Sequence, residues 1–104
     1  MNALYVALLI VTATVAHAQE GGEPGKGVVV ARQICSECHA IGRGQDVSPR
    51  LSAPPFERLA NTPGVTAMAI NHLLHSSHKE MPNIMLAPDD QWHVVAYILS
   101  LRRQ

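Results

Sequence analysis

Helical spacing of apolar residues recurs along this 104-residue chain, and no segment alternates clearly between apolar and polar positions. The last helix is predicted to open at Pro88, with two acidic residues in its first turn and Arg102 and Arg103 in its last, where each charge suits the helix dipole. Its inward stripe is predicted at positions i, i+3, i+4 and i+7, which are Trp92, Val95, Ala96 and Leu99. The pattern favours an all-α fold.

Three earlier helices are predicted around a loop rich in proline. The first spans residues 27–38, although its three consecutive valines would equally suit a strand. A short helix at residues 55–60 follows the loop of residues 40–55. The third helix takes Thr62 as its N-cap and runs to about His75. Its predicted inward stripe consists of Val65, Met68, Ala69 and His72.

The N-terminal segment has the form of a secretory signal peptide. Residues 2–18 contain no Lys, Arg, Asp or Glu, hold an apolar run shorter than the ~20 residues that span a bilayer, and end in the small-x-small pattern Ala16-His17-Ala18. Because no basic residue follows Met1, an uncleaved membrane anchor or an ordinary N-terminal helix remains an alternative. We expect a signal at residues 1–18, a flexible polar leader at residues 19–26 and one domain at residues 27–104, without stable membrane insertion after cleavage.

Charge and composition narrow the classes of function. Eight basic residues balance eight acidic ones, and no run of like charge reaches the length of an interaction tail, so nucleic acid is not an expected partner. One Trp, two Tyr and one Phe leave a small core short of large side chains, which favours a cofactor at its centre. Cys35 and Cys38 are too close in sequence for a stabilising disulfide, so we expect the two thiols to have a chemical role and not a structural one.

The pentapeptide Cys35-Ser36-Glu37-Cys38-His39 is the strongest chemical signal. On a helical turn, positions i, i+3 and i+4 share a face, so both thiols and the imidazole point the same way. Such a face can form two thioether bonds to a porphyrin edge while the imidazole binds the iron, and the motif is typical of covalent haem attachment. Three alternatives remain: a thioredoxin-like redox pair, a zinc site shared with two of His72, His75 and His78, and a Cys-x-x-Cys without a cofactor.

From residue 27 to about residue 101, the sequence resembles the small bacterial periplasmic c-type cytochromes that carry a single haem. The resemblance is carried by Gly27 eight residues before Cys35, the pentapeptide, the proline-bearing loop, the dipeptide Met81-Pro82 and the run Ala96-Tyr97-Ile98-Leu99. It implies three to four helices packed around one covalently attached haem. It also implies that the first and last helices cross closely, with Gly27 and Ala31 near Val94 and Tyr97.

The second axial ligand of the iron is expected to be Met81. Pro82 biases Met81 out of helical geometry, so that its thioether projects from a loop, and the dipeptide matches the family. Met85 and His78 remain alternatives, whereas Met68 is predicted to be a core residue. The imidazoles of His72 and His75 suit a solvated helix end.

The resemblance also implies roles for residues around the haem. A backbone carbonyl near a loop proline would orient the His39 ring, with Pro49 the nearest match by spacing and Pro54 the alternative. Six residues are expected in the core or against the haem: Phe56, Leu59, Ile84, Leu86, Trp92 and Ile98.

The resulting expectation is a periplasmic electron carrier and not an enzyme. One haem c, with its iron, would be held by Cys35, Cys38, His39 and Met81, which leaves no open position for a substrate. Redox partner proteins would dock at the haem edge, where positive charge is available from Arg43, Arg50, Arg58 and Lys79 unless these are ordinary solvated charges. Two alternatives stay open: an electron-transfer subunit of a larger periplasmic oxidoreductase, and a ligand-binding or peroxidatic haem protein with an open distal site.

Overall fold

The computed structural model describes residues 21–76 and 81–103. Four α-helices follow one another, namely α1 (Pro24–Val30), α2 (Phe56–Ala60), α3 (Ala67–His75) and α4 (Pro88–Ser100). A π-helical turn at Ala31–Cys35 continues α1. The predicted all-α fold is confirmed for this part of the chain. The predicted signal at residues 1–18 lies outside the described residues.

Helix α1 begins at Pro24, three residues before the predicted start, and therefore includes the last residues of the segment predicted as a polar leader. Proline is pre-organised for the first helical position because its φ is fixed and its missing N–H is not needed there. The Glu23 carbonyl accepts hydrogen bonds from Lys26 N (3.1 Å) and Gly27 N (3.0 Å), which closes the first turn. The three valines at residues 28–30 are helical and do not form a strand.

The main contact between helices is the crossing of α1 and α4. A Cβ atom at Gly27 would overlap the His93 carbonyl oxygen and lie 2.7 Å from the Tyr97 Cβ, so the two backbones meet where no side chain fits. One turn later, Ala31 is fully buried. The close crossing implied by the family resemblance is confirmed at Gly27.

Helix α3 starts later than predicted. Its N-cap is Thr66, whose hydroxyl accepts a hydrogen bond from Ala69 N at 3.1 Å. The expected cap, Thr62, instead begins a tight turn in which Val65 N donates to Thr62 O at 3.2 Å. Gly64 has a φ of 78°, which is a left-handed conformation that a helix cannot contain. The predicted start at Thr62 is therefore wrong.

The residues that α3 and α4 bury are not the ones predicted for their inward-facing sides. On α3, Ile70 is buried, while Met68 is 67% exposed, so the expected core role of Met68 is wrong. On α4, the buried positions are one residue earlier than predicted, and they are Gln91, Val94, Val95 and Ile98. A polar residue at the buried position 91 is accommodated because the Gln91 Nε2 donates to Leu86 O at 3.2 Å.

The two arginines after α4 connect other segments and do not lie in the last helical turn as predicted. Helix α4 ends at Ser100. Arg102 donates from Nε to Ala60 O (3.3 Å) and from Nη2 to Val65 O (2.5 Å). The chain end therefore packs beside α2 and the turn that precedes α3.

The core is small and built around α4. Among the described residues, the largest fully buried side chains are Val94, Val95 and Ile98. Alanines occupy four of the other buried positions, and these are Ala31, Ala40, Ala53 and Ala60. In the part of the chain that the structure describes, no helix is both long and apolar enough to cross a membrane.

Candidate functional site

The pentapeptide forms a single helical turn that begins at Cys35, the last residue of the π-helical turn. The Cys35 carbonyl accepts hydrogen bonds from Cys38 N (3.1 Å) and His39 N (2.9 Å), so these residues stand at i, i+3 and i+4 on one face. The π-helical turn ends at Cys35, and the next residue closes it, because Ser36 N donates to Ala31 O at 2.9 Å. Single π-turns inside helices occur often at functional sites, and here one adjusts the rotation of the turn that carries both thiols.

Both cysteines of this turn are free and half-buried. Burial raises the pKa of the Cys35 thiol to about 11, because a thiolate loses its hydration there. At neutral pH the Cys35 side chain is therefore a neutral thiol. Its environment is apolar enough to take a thioether, which carries no charge at any pH.

The His39 ring is held by a backbone carbonyl. Its Nδ1 lies 2.7 Å from Pro54 O, and the ring packs against the buried Phe56, with ring centroids 5.3 Å apart. With Nδ1–H donating to the carbonyl, the lone pair of Nε2 is the one available to a metal. Pro49, the nearest match by spacing, is wrong as the source of this acceptor, and the alternative Pro54 supplies it.

The loop of residues 40–55 is bonded to the pentapeptide and closed by a bond between its two ends. Arg50 N donates to Cys38 O at 3.1 Å, and Phe56 N donates to Ala40 O at 2.9 Å. The hydroxyl of the buried Ser48 accepts from Ala40 N at 2.9 Å. These long-range bonds bring Pro54 over the His39 ring.

Ser48 and Tyr97 support this region and were not singled out for it from the sequence. The Tyr97 hydroxyl donates to Ile41 O at 2.5 Å and thereby joins α4 to the loop. Its ring packs against Phe56, with centroids 6.4 Å apart. A serine before Pro49 and a tyrosine in an apolar helix were the only signals that the sequence offered for these contacts.

The candidate distal ligands differ in burial. Met81 is half-buried, whereas Met85 is 88% exposed. His72 and His75 are exposed at the end of α3, which agrees with a solvated helix end, and the His75 Nδ1 lies 2.8 Å from Asn71 O. The prediction of His72 in the inward stripe of this helix is therefore wrong. His78 lies outside the described residues.

The residues expected in the core or against the haem are all at least half-buried. Phe56 and Ile98 are fully enclosed. The other four, namely Leu59, Ile84, Leu86 and Trp92, are half-buried. On α3, the Asn71 Nδ2 is shielded from solvent and has no hydrogen-bond partner among the described residues.

The four basic residues proposed to surround the haem edge differ in their contacts and exposure. Arg43 donates from Nη2 to Ser100 O at 2.6 Å and is thus engaged in joining the loop to the end of α4. Arg50 and Arg58 are exposed. Lys79 lies outside the described residues.

Two further features bear on the alternatives to haem attachment. In residues 21–76 and 81–103, no group of three or more His, Cys, Asp and Glu side chains is placed to hold a metal ion, which gives the zinc alternative no support there.

A cavity of about 630 Å³ lies beside His39 and is lined by Arg32, Ser36 and Tyr97 among others. Its lining contains neither cysteine and no methionine, so we do not assign it to a cofactor.

The donor set of the turn fits a covalently bound haem. Two free thiols and one imidazole share a face, and the imidazole is already oriented through its other ring nitrogen. Cys35 is one of the half-buried side chains that pack against the apolar core, which suits a porphyrin bound there.

Comparison with known proteins agrees with this chemistry. The chain is 27% identical over 97 residues to a curated protein named cytochrome c-552 from Bradyrhizobium diazoefficiens, and the match covers 93% of this chain and 92% of that protein. No protein-family model and no solved structure matches the chain. The pentapeptide turn and the helical fold of the described residues agree with this similarity to a c-type cytochrome, which extends over nearly the whole chain.

Proposed function

We propose that this protein is a periplasmic c-type cytochrome that carries single electrons on one covalently bound haem c. The turn from Cys35 to His39 carries the proposal, because it presents two thiols and an oriented imidazole on one face. When bound, the haem supplies an iron that changes oxidation state by one electron. The predicted signal at residues 1–18 supports the periplasmic location.

Each ligand has a defined task in this proposal. Cys35 and Cys38 would hold the haem through thioether bonds, and the His39 Nε2 would bind its iron. The Pro54 carbonyl makes the His39 ring a better electron donor by accepting its Nδ1–H at 2.7 Å.

Met81 is the proposed distal ligand. Pro82 keeps Met81 out of helical geometry, and residues 82–87 form the loop that leads into α4. A thioether favours the reduced iron and raises the reduction potential. If His39 and Met81 both bind the iron, no open position would remain for a substrate, which supports a carrier and not an enzyme.

Donor and acceptor proteins are the proposed partners. Electron-transfer contacts are typically smaller than about 1,200 Å² and short-lived. The balanced charge of eight basic and eight acidic residues gives weak long-range steering, so docking depends on local contacts around the haem edge.

Replacement of Met81 tests the step on which the carrier function depends. In Met81→Ala, the oxidised protein should lose the weak long-wavelength band of sulfur-to-iron charge transfer, because the axial thioether is gone. The reduction potential should fall, and the reduced protein should bind carbon monoxide at the opened position. Absorption spectra, a redox titration and carbon monoxide binding measure these changes.

Met85→Ala and Met68→Ala are the matched controls. Both side chains are largely exposed, at 88% and 67%, so each variant should keep the band and its stability. Loss of the band in Met85→Ala and its retention in Met81→Ala would assign the ligand to Met85. An unmodified protein that binds carbon monoxide rapidly would instead have an open distal site, and co-purification with a catalytic partner would indicate a subunit of a larger oxidoreductase.

A further inference from the structure

The start of α1 is bonded to α4 through the side chain of His93. The Glu23 N–H donates a hydrogen bond to the His93 Nδ1 at 2.9 Å. Glu23 is the N-cap residue of α1, and its carbonyl accepts from Gly27 N at 3.0 Å. The residue that closes the first turn of α1 is therefore also the residue that α4 holds.

The backbone at this end of α1 lies directly on α4. A Cβ atom at Gly22 would overlap the Trp92 carbonyl oxygen, just as one at Gly27 would overlap the carbonyl oxygen of His93. The chain thus touches α4 at both glycines, and no side chain fits at either. His93 is half-buried in this contact, and its hydrogen bond joins residues that are 70 positions apart in the sequence.

The hydrogen bond requires a neutral imidazole. A backbone N–H can only donate, so the His93 Nδ1 must offer its lone pair and the ring proton must lie on Nε2. A protonated imidazole carries an N–H on both ring nitrogens and accepts no hydrogen bond. Protonation of His93 would therefore leave two donors facing each other at the N-cap of α1.

We propose that this contact is pH-sensitive and that protonation of His93 releases the start of α1 from α4. Histidine ordinarily gains its proton between pH 5 and 8, whereas carboxylic acids, amines and phenols ordinarily keep one charge state over that range. The released stretch joins the domain to the residues before it. Acid pH therefore loosens the domain next to the predicted leader and signal.

The charged groups around His93 do not replace the lost acceptor. The ionisable residues of the start of α1 and of the neighbouring turns of α4 are Glu23, Lys26, Asp89, Asp90 and Tyr97. The Glu23 carboxylate would attract a protonated ring, but it is already paired with the Lys26 ammonium at 3.0 Å, which would repel that ring. Both side chains are about two-thirds exposed, at 64% and 66%, so water and salt screen these forces.

Amide hydrogen exchange of Glu23, followed by NMR in the purified protein, tests the proposal. Its protection, relative to an unstructured chain at the same pH, should fall by about three- to tenfold between pH 8 and pH 5, because one hydrogen bond of ordinary net strength is lost. The fall should coincide with the protonation of His93 in an NMR titration of its ring nitrogens. The Ile70 N–H, which bonds to the N-cap carbonyl of Thr66 at 3.1 Å, is the reference amide and should keep its protection.

Three variants separate the acceptor from its titration. His93→Asn places an amide oxygen close to the position of Nδ1, so Glu23 should stay protected at both pH values, because this acceptor does not titrate. His93→Leu removes the acceptor and should leave Glu23 weakly protected at both. His75→Leu is the matched control, because the His75 Nδ1 donates to Asn71 O at 2.8 Å and protonation does not break such a bond. This variant should behave as the unmodified protein does.

Three results would overturn the proposal. The first is a Glu23 protection that stays constant while His93 is protonated. The second is a loss of protection in His93→Asn at pH 5 that is as large as in the unmodified protein, which would assign the loss to other groups. The third is an Nδ1–H tautomer of His93 at pH 8, because that nitrogen could not accept a hydrogen bond. None of these results bears on haem attachment, which acid-acetone extraction measures separately.

Discussion

Glu57 connects three separate parts of the chain through one carboxylate. It lies on α2, accepts a hydrogen bond from Gly44 N at 2.6 Å, and pairs with the Arg103 Nε at 3.5 Å. The Gly44 N–H, aided by Arg103, holds the pKa of Glu57 below its ordinary value. The loop, α2 and the chain end are therefore linked by a group that must be ionised.

The stability of the protein should depend on Glu57 in a defined pH range. Because the folded state lowers the pKa of Glu57, its contribution is present above the ordinary value of 4.5 and is lost as the pH falls through the lower folded pKa. Glu57→Gln should therefore be less stable than the unmodified protein at pH 7 and approach it at pH 3. Thermal unfolding at the two pH values measures the difference.

Asp46→Asn is the control for this pH dependence. Asp46 is an exposed acid in the same loop as Gly44. The variant should follow the unmodified protein at both pH values. A stability difference for Glu57→Gln that is as large at pH 3 as at pH 7 would show that the carboxylate charge is not responsible.

The sequence predicts the chemistry of individual residues better than their supporting contacts. The thiols and imidazole at 35, 38 and 39 share a face because helix geometry alone places i, i+3 and i+4 together. Which carbonyl accepts the hydrogen bond of His39 depends on how a long loop closes. Spacing along the chain favoured a carbonyl near Pro49, whereas the structure has that of Pro54. Closure is set by bonds such as Phe56 N to Ala40 O at 2.9 Å, which no local pattern reveals.

The crossing of α1 and α4 depends on the absence of a side chain at Gly27. A Cβ there would overlap the His93 carbonyl oxygen, and a backbone atom cannot rotate away as a side chain can. Gly27→Ala should therefore lower the free energy of unfolding by about 1–3 kcal/mol, because the two helices must separate to admit the methyl group. Denaturant unfolding followed by circular dichroism measures this loss.

Gly25→Ala is a matched control on the same helix. A Cβ at Gly25 meets nothing within 4 Å. The variant should be unchanged or more stable by up to about 1 kcal/mol, because alanine favours the helix over glycine. Equal effects of the two substitutions would refute the close approach of the backbones.

The sequence predicts the presence of the helices better than it predicts which of their residues are buried. On α4, positions 92, 95, 96 and 99 and positions 91, 94, 95 and 98 both have helical spacing, and the apolar Trp92 favoured the first set. The structure buries Gln91 because its amide finds the Leu86 carbonyl, a contact that hydropathy cannot predict. Likewise, the start of α3 is decided by the left-handed Gly64 and not by the Thr62-Pro63 pair.

The part of the molecule that the structure describes buries little apolar volume. Four of the ten buried apolar residues there are alanines, and the largest fully buried side chains are two valines and one isoleucine. A domain of this size buries a smaller fraction of its surface than a larger one and is correspondingly marginal. A covalently bound porphyrin at the face of Cys35 and Cys38 would supply much of the missing core.

Removal of the haem should therefore unfold the protein. The Cys35→Ala/Cys38→Ala double variant should retain no haem after denaturation and acid-acetone extraction, whereas the unmodified chain should retain one. Without haem, the double variant should lose most of its far-ultraviolet helical signal and its cooperative thermal transition, because ten buried residues of this size cannot offset the conformational entropy of the chain. His72→Ala, which alters an exposed residue of α3, should keep both the haem and the transition. A cooperative transition in the haem-free double variant at the temperature of the loaded protein would show that the polypeptide core is sufficient by itself.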